Sequence, residues 1–355
     1  MLTAQRSIAW IAGLLLAGSS LAHAVEEFSV AQLSDNVFAV VRNDAPGYAV
    51  ESNSGFIDCG DRLVVVDTQS NEATTRRALA AIRERTDKPV RYVINTHWHD
   101  DHIVGNRIYR EAFPAARFVA HERSLTYLPG EGKQSRDKFH RGIPEVLAGM
   151  RRVLKAGKIG ADRPLRDEQR ASLESDIRLA EGYLTVPDDF VPVLADIPVS
   201  GKFSIHEASC WIDVLALGNA HTTGDLVVHI ADARVVFVGD IIGLPVPLVG
   251  AEQSRVREWS GTLQRIRELG AKVIVPGHGP VMRDYAQLDR TSVLMTTIVE
   301  RVDKARSRGE TLELARGRID LSDQRQQFAG DSQLLWLLFD AYVTGPSVTN
   351  AWNFP

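Results

Sequence analysis

Cysteine is nearly absent from the 355 residues: Cys59 and Cys210 are the only two, too few and too far apart for a disulfide framework or a thiolate zinc site. They are expected to pack as small buried hydrophobes, with a bridge left open in an oxidising compartment. An excess of positive charge is lacking as well, because 41 Lys and Arg stand against 45 Asp and Glu for a formal charge of −4. Without a cationic field for polyanions, nucleic acid is set aside as a partner. Beyond the first 24 residues no uncharged apolar run approaches the roughly 20 residues of a bilayer span, so no membrane is expected to hold the mature chain. Low-complexity stretches and linker-like shifts of composition are missing too. What is present, 44% apolar and 24% charged residues with 27 Gly and 15 Pro, is the profile of a globular chain with ample core.

The first 24 residues read as a targeting segment. Arg6 precedes the apolar run Ile8 to Leu16, Gly18-Ser19-Ser20 follows, and Ala22-His23-Ala24 places small residues where a signal peptidase cuts. Cleavage after Ala24 and export, with the bacterial periplasm as first choice, are the expectations.

In the mature chain, short alternating apolar runs at Val37 to Val41, Tyr48 to Val50, Gly55 to Ile57 and Leu63 to Val66 predict a β-meander. A helical face over Ala73 to Arg85, carrying Ala78, Leu79 and Ile82, then a strand Val90 to Ile94, make a βαβ unit that turns the sheet parallel. A short helix Asn106 to Glu111 and a strand Arg117 to Ala120 come next. From about Ser124 to Val186 the period is helical, with one stripe of Val146, Leu147, Met150, Val153 and Leu154 and another of Leu173, Ile177, Ala180 and Leu184. Two sizeable helices are inserted there, and their stripes are expected mostly to pack on each other or on the core. Strands resume at Phe190 to Ile197, Trp211 to Leu217, Leu226 to Ile230 and Val235 to Val238, followed by a helix near Ser254 to Leu269 and a strand Val273 to Val275. The second half so repeats the first, and after Tyr285 the chain is mostly helical. The organisation expected is a domain over residues 25–285, the insertion at about 124–186 within it, and a helical extension over 286–355 packed on the same domain.

The strand Val90 to Ile94 runs into Asn95-Thr96-His97-Trp98-His99-Asp100-Asp101-His102. Three imidazoles and two carboxylates at the C-terminal edge of a parallel strand form a ligand array in a ligand-binding position, and neutral His nitrogen with Asp oxygen suits a borderline dication such as zinc. Alternation sends His97 and His99 the same way; Asp101 and His102 come further round a turn and can face a second ion. His221 in Ala220-His221-Thr222, Asp240 in Val238-Gly239-Asp240 and His278 in Gly277-His278-Gly279 each stand just past the end of a predicted strand. Jointly these supply five His and two Asp, enough for two ions. Trp98 and Trp259 are read first as packing groups, and His140, His206 and His229 as surface or hydrogen-bonded residues. His121, at the same sheet edge, is a candidate for supporting or pocket duty.

With these residues in order, the chain resembles the metallo-β-lactamase superfamily of hydrolases over roughly residues 30 to 285, the H-x-H-x-D-H element being its most specific part. The resemblance implies a four-layer αββα sandwich, two sheets face to face with helices outside, and assigns the first metal site to His97, His99 and His221, the second to Asp101, His102 and His278. Asp240 is the implied bridging carboxylate, and Asp67 in Val66-Asp67-Thr68 the implied buttress of the metal loop. An Asp at 240 is similar to glyoxalase II and lactonases, whereas cysteine-bearing lactamases place a thiolate there. No lysine follows in Ile241-Ile242-Gly243-Leu244-Pro245, where such enzymes clamp a substrate carboxylate. His99 argues against the redox di-iron branch.

The expected activity is binuclear zinc-dependent hydrolysis of an ester, thioester, lactone or amide of a small molecule. In it a hydroxide shared by two ions attacks the carbonyl, and Asp101 orients it and shuttles the proton. Iron or manganese are the alternative ions. The competing readings are a mononuclear iron sulfur dioxygenase on the same scaffold, a β-lactamase proper, and a metal-binding accessory protein without turnover. The insertion, leaving the sheet edge beside the metal loop, is expected to cover the site.

Overall fold

The computed structural model describes residues 27–355, apart from residues 161 and 208; the targeting segment expected over residues 1–24 lies outside the described residues. The first sheet takes β1 (Phe28–Gln32), β2 (Val37–Arg42), β3 (Ser54–Asp58), β4 (Leu63–Val66), β5 (Val90–Ile94), β6 (Arg117–His121) and β9 (Ile197–Val199) in that order, antiparallel through β4 and parallel from there on. Between β6 and β9 lie the strands of a small separate hairpin, β7 (Lys158–Ile159) and β8 (Arg163–Pro164). The second sheet is β10 (Lys202–Glu207), β11 (Cys210–Leu215), β12 (Val227–Ile230), β13 (Val235–Gly243) and β14 (Val273–His278), closed by the parallel pair β13 and β14.

Period-two patterning decides the layers. Val64 and Val66 point into the slab between the sheets with Ile94, Ile212, Val228 and Phe237. Leu63 and Val65 point outward onto α1 (Glu72–Arg83) and α3 (Asn106–Ala112), where Ala78, Ile82 and Tyr109 bury them. On the far side the outward residues Val236, Val238 and Ile274 meet Trp259, Leu263 and Ile266 of α7 (Val256–Glu268). The result is the αββα sandwich. Helices α8 (Ala286–Ser307) to α12 (Gly345–Asn353), with α9 (Leu312–Arg318), α10 (Ser322–Ala329) and α11 (Gln333–Phe339) between, extend that outer layer. Met295, Ile298, Phe339 and Val348 belong to the same apolar cluster as the second sheet.

Four expectations change. Cys59 and Cys210 are buried but bonded to each other, with Cα atoms 5.1 Å apart; 151 residues of chain bring β11 opposite the end of β3, a proximity that spacing in sequence cannot reveal. Tyr48 to Val50 is no strand: its backbone is held instead by side chains, Tyr342 and Tyr183 donating to the carbonyls of Tyr48 and Val50 and Asp176 accepting from the Ala49 amide. Of Phe190 to Ile197 only the last residue enters a strand, because Val191 stands 78% exposed and Pro192 has no amide to give a ladder. Finally, the insertion carries α4 (Ser124–Tyr127), α5 (Lys133–Ala156) and α6 (Asp167–Tyr183), but its stripes are mostly not buried. Ile143, Leu147, Ala180 and Tyr183 pack together, whereas Val146 of the first stripe is 54% exposed and Leu184 of the second 39%.

Candidate metal centre

Chain geometry at four strands brings the ligand candidates together, His221 coming from the loop between β11 and β12. β5 delivers His97 and His99 on the loop that follows it, and α2 (Asp100–Ile103) carries Asp101 and His102 one turn further. Asp240 and His278 stand within β13 and at the last residue of β14 rather than past them, since a register shift at Gly239 keeps both strands paired to that depth. Gly239 has φ +52°, and a Cβ on Gly277 would lie 1.9 Å from Asp240 Oδ1; only glycine allows so close a passage.

His97, His99, His221 and Asp240 form one group and Asp101, His102 and His278 a second, the candidate ligand atoms of each lying within 4.8 Å of one another. His99 Nδ1 is 3.1 Å from His97 Nε2 and 2.9 Å from His221 Nε2. Asp240 Oδ2 is 3.4 Å from His221 Nε2 and 3.9 Å from His97 Nε2, and also 3.2 Å from His278 Nε2; its Oδ1 is 3.2 Å from His102 Nε2. One carboxylate so reaches both groups. Asp101 Oδ2 is 3.4 Å from both His102 and His278.

The opposite nitrogen of every imidazole is engaged, and the partners settle which carries hydrogen. Leu248 and Glu51 offer only carbonyl oxygens, so His221 and His278 donate from Nδ1 at 2.7 and 3.0 Å. Trp98 donates its indole N–H to Gln253 Oε1 at 3.2 Å, which fixes that amide; His99 Nε2 donates to the same oxygen at 2.8 Å. Thr96 gives its hydroxyl hydrogen to Asp67 Oδ2, hence accepts from His97 Nδ1 at 3.2 Å, and Asp67 Oδ2 also receives His102 Nδ1 at 2.8 Å. Bare lone pairs of His97, His99 and His221 therefore point at one another. Ligands about 3.3 Å apart are what zinc–nitrogen bonds of about 2.0–2.1 Å require around a tetrahedral ion. Among the described residues, His102 Nε2, Asp101 Oδ2 and Asp240 Oδ1 are buried without a hydrogen-bond partner, an arrangement that is unfavourable unless a cation completes it. The residues fit two dications.

Electrostatics divide the groups. Burial holds His97 well below the ordinary imidazole value, reinforced by His102, and brings His221 down to about 3 against the pull of Asp240. For His102 burial is outweighed by Asp101, Asp67 and Asp240, which hold it well above that value, and His278 is raised by Asp240 and Asp101 in the same way. Burial opposes ionisation of Asp240, yet His278, His102, His221 and His97 together keep it well below the carboxylate range. Burial raises Asp101, with His102 and His278 opposing.

Asp67 sits where the resemblance places it. At φ +56°, a conformation Asp tolerates better than most residues, it binds the Thr96 amide and hydroxyl as well as His102. His121 does not support the centre: its ring accepts from the Arg123 amide, and its charged neighbours are Arg123 and Glu122. Gln253, Glu51, Asp225 and Arg136 escaped sequence reasoning. Asp225, which burial pushes up to about 7, gathers the Ala220 and Thr222 amides and so shapes the loop that presents His221. Glu51, also raised to about 7 by burial, binds Ser70 beside Asp101. Arg136 of α5 grips Asp100 at 2.7–2.9 Å and keeps Nη1 unpartnered. Trp259 is a packing group, as read. Trp98 is buried yet forms wall beside His99, stacked on Tyr127 with ring centroids 4.5 Å apart.

A cavity of about 650 Å³ opens onto His99 and Asp101, between the metal loop and helices α5 and α6. The arrangement can set two cations side by side at the floor of a pocket with room for a small molecule, which is what metal-assisted attack on an electrophile needs.

Residues 47–278 match the family model described as the metallo-beta-lactamase superfamily. The chain is 23% identical over 235 residues to a linear primary-alkylsulfatase of Pseudomonas sp. (strain ATCC 19151), an alignment covering 63% of this chain and 40% of that protein. It is 24% identical over 258 residues to a metallo-beta-lactamase type 2 of Bacillus cereus, covering 71% and 77%. The chain thus spans about two fifths of the first of these relatives. The solved metallo-beta-lactamase from Pontibacter korlensis superposes with a TM-score of 0.52 at 17% identity, over 76% of this chain and 99% of that one.

Proposed function

Because the chain belongs to the metallo-β-lactamase superfamily, we propose that it is an exported hydrolase that holds two zinc ions and cleaves an ester, thioester, lactone or amide of a small molecule. The observation that carries this reading is the convergence of candidate ligand atoms into two groups reached by one carboxylate, Asp240. Ions bound there would lower the pKa of water from about 15.7 to near 7 and polarise the substrate carbonyl. Asp101, on the cavity floor with an unpartnered oxygen, orients the attacking water, holds its proton and passes it to the leaving group. Asp67, Thr96 and Gln253 keep the imidazoles aimed and in one tautomer. Helices α5 and α6 exclude bulk water from one side.

Export is supported by the charge, apolar run and Ala-His-Ala pattern of residues 1–24 and by the Cys59–Cys210 bridge, a bond that persists in oxidising compartments. N-terminal sequencing of the native protein should start at Val25; recovery of Met1 would overturn export. Elemental analysis should return two zinc per chain, and a panel of thioesters, lactones, β-lactams, phosphodiesters and alkyl sulfates should identify a hydrolysed bond. One iron per chain with oxygen uptake would replace hydrolysis by oxidation.

A further inference from the structure

The cavity above the metal loop is far less polar than its floor. Along α5, Phe139, Ile143, Val146 and Met150 face it, opposed by Ala180 and Tyr183 of α6. Phe139 and Val146 are 52% and 54% exposed although both line this hollow. An amphipathic helix normally buries such a stripe against protein. Here only Ile143 and Leu147 reach a small cluster with α6, and the rest is left facing about 650 Å³ of space. Of its polar lining, His99, Asp101, Ser70 and Gln253 belong to the candidate centre or adjoin it, while Arg136, Lys138 and His140 of α5 border the apolar stripe. Apolar surface contiguous with a reactive centre marks a ligand groove rather than ordinary surface.

We propose that the substrate is an amphiphile, with its hydrolysable acyl head at the ligand groups and a linear apolar tail lying along the α5 stripe. This rests on the hydrolytic reading above and names its substrate class. Continuity with the centre selects the occupant: the apolar stripe of α5 lines the same cavity as His99 and Asp101, so one molecule can span both. The insertion supplies the apolar wall and none of the candidate ligands.

Linear alkanoates of four to twelve carbons titrated into the zinc-loaded full mature chain by calorimetry, beside hydrolysis of the matching p-nitrophenyl alkanoates, test the proposal. Affinity should rise about two- to fourfold per methylene, the gain expected for burying each one, until the cavity is full. Val146→Trp and Met150→Trp, which fill the cavity from positions not fully buried, should move that plateau to shorter chains. Affinity that is flat across the series, or a plateau that neither variant moves, overturns the tail site even if short esters are cleaved. Chain-length-dependent binding without turnover of any ester, thioester, lactone or amide overturns the hydrolytic reading and leaves the tail site standing.

Discussion

Three imidazoles and one carboxylate make the first ligand group, whereas the second sets His102 and His278 against Asp101 and the shared Asp240. In the first, burial keeps His97 and His221 neutral, so their lone pairs stand ready. In the second, the carboxylates outweigh burial and raise His102 and His278 above the ordinary imidazole value, so a proton competes there with a cation for the same lone pairs. Neighbouring sites made of the same residue types differ in what must leave before a metal arrives. The ratio of carboxylates to imidazoles, and the charge balance it creates, sets the difference.

The largest effect should come from removing what the groups share. Asp240→Ala is expected to drop metal content from two ions per chain toward none by elemental analysis, with an activity loss well beyond the 10- to 100-fold that losing a supporting partner brings. An Asp240→Ala protein that keeps both ions would end the comparison, because the groups would then be independent. Next, His278→Ala and His221→Ala should each leave about one ion per chain, the first emptying the second group and the second the first; metal titration followed by cobalt substitution spectra distinguishes them.

Smaller effects belong to the supporting residues. Gln253→Ala frees the His99 ring and should weaken the first group about 10- to 100-fold, and Asp67→Asn should do so chiefly at the second through His102. Equal losses at both groups from either variant would blur the distinction. The gentlest test is pH. Since His102 and His278 are held above the ordinary imidazole value, they keep a proton to higher pH than His97 and His221 in the metal-free fold and must lose it to bind. Affinity of the second group should therefore climb as pH rises from 6 to 8, with proton release measured by calorimetry in buffers of different ionisation enthalpy. Affinity of the first should change less, because His97 and His221 are already neutral there. A steeper pH slope at the first group would invert the assignment.

Much of the centre was legible because it is local. His97, His99, Asp101 and His102 fall within six residues, and His221, Asp240 and His278 betray themselves by standing just after apolar runs, which the fold makes strands β11, β13 and β14. The layers were legible for the same reason, since strands such as Leu63–Val66 and Val90–Ile94 alternate faces within a few residues. Gln253 and Glu51 were not, because nothing near them in sequence reports that His99 and His278 will lie beside them; the fold creates those contacts across 154 and 227 residues. The stripe on α5 was misassigned in part because periodicity shows which residues share a face and not what that face meets: Leu147 meets Ile143, Ala180 and Tyr183, while Val146 meets a cavity. β10 was missed outright: Phe203 and Ile205 alternate with polar residues, but two apolar positions are a short signal, and the segment pairs along its whole length with β11.

The bridge between Cys59 and Cys210 has a consequence for covalent topology. It closes a ring that holds the whole H-x-H-x-D-H loop and the whole insertion, and leaves His221, Asp240 and His278 outside. A ring of this size lowers the entropy of the unfolded chain by an amount equivalent to about 5 kcal/mol in the loop-closure treatment. It also makes the insertion severable without separation: a protease cutting at the exposed turn strand Arg163–Pro164 would leave two pieces, each carrying part of both ligand groups, still tethered through sulfur. Only a nick followed by reduction would let them part, so a clipped enzyme stays whole for as long as its surroundings stay oxidising.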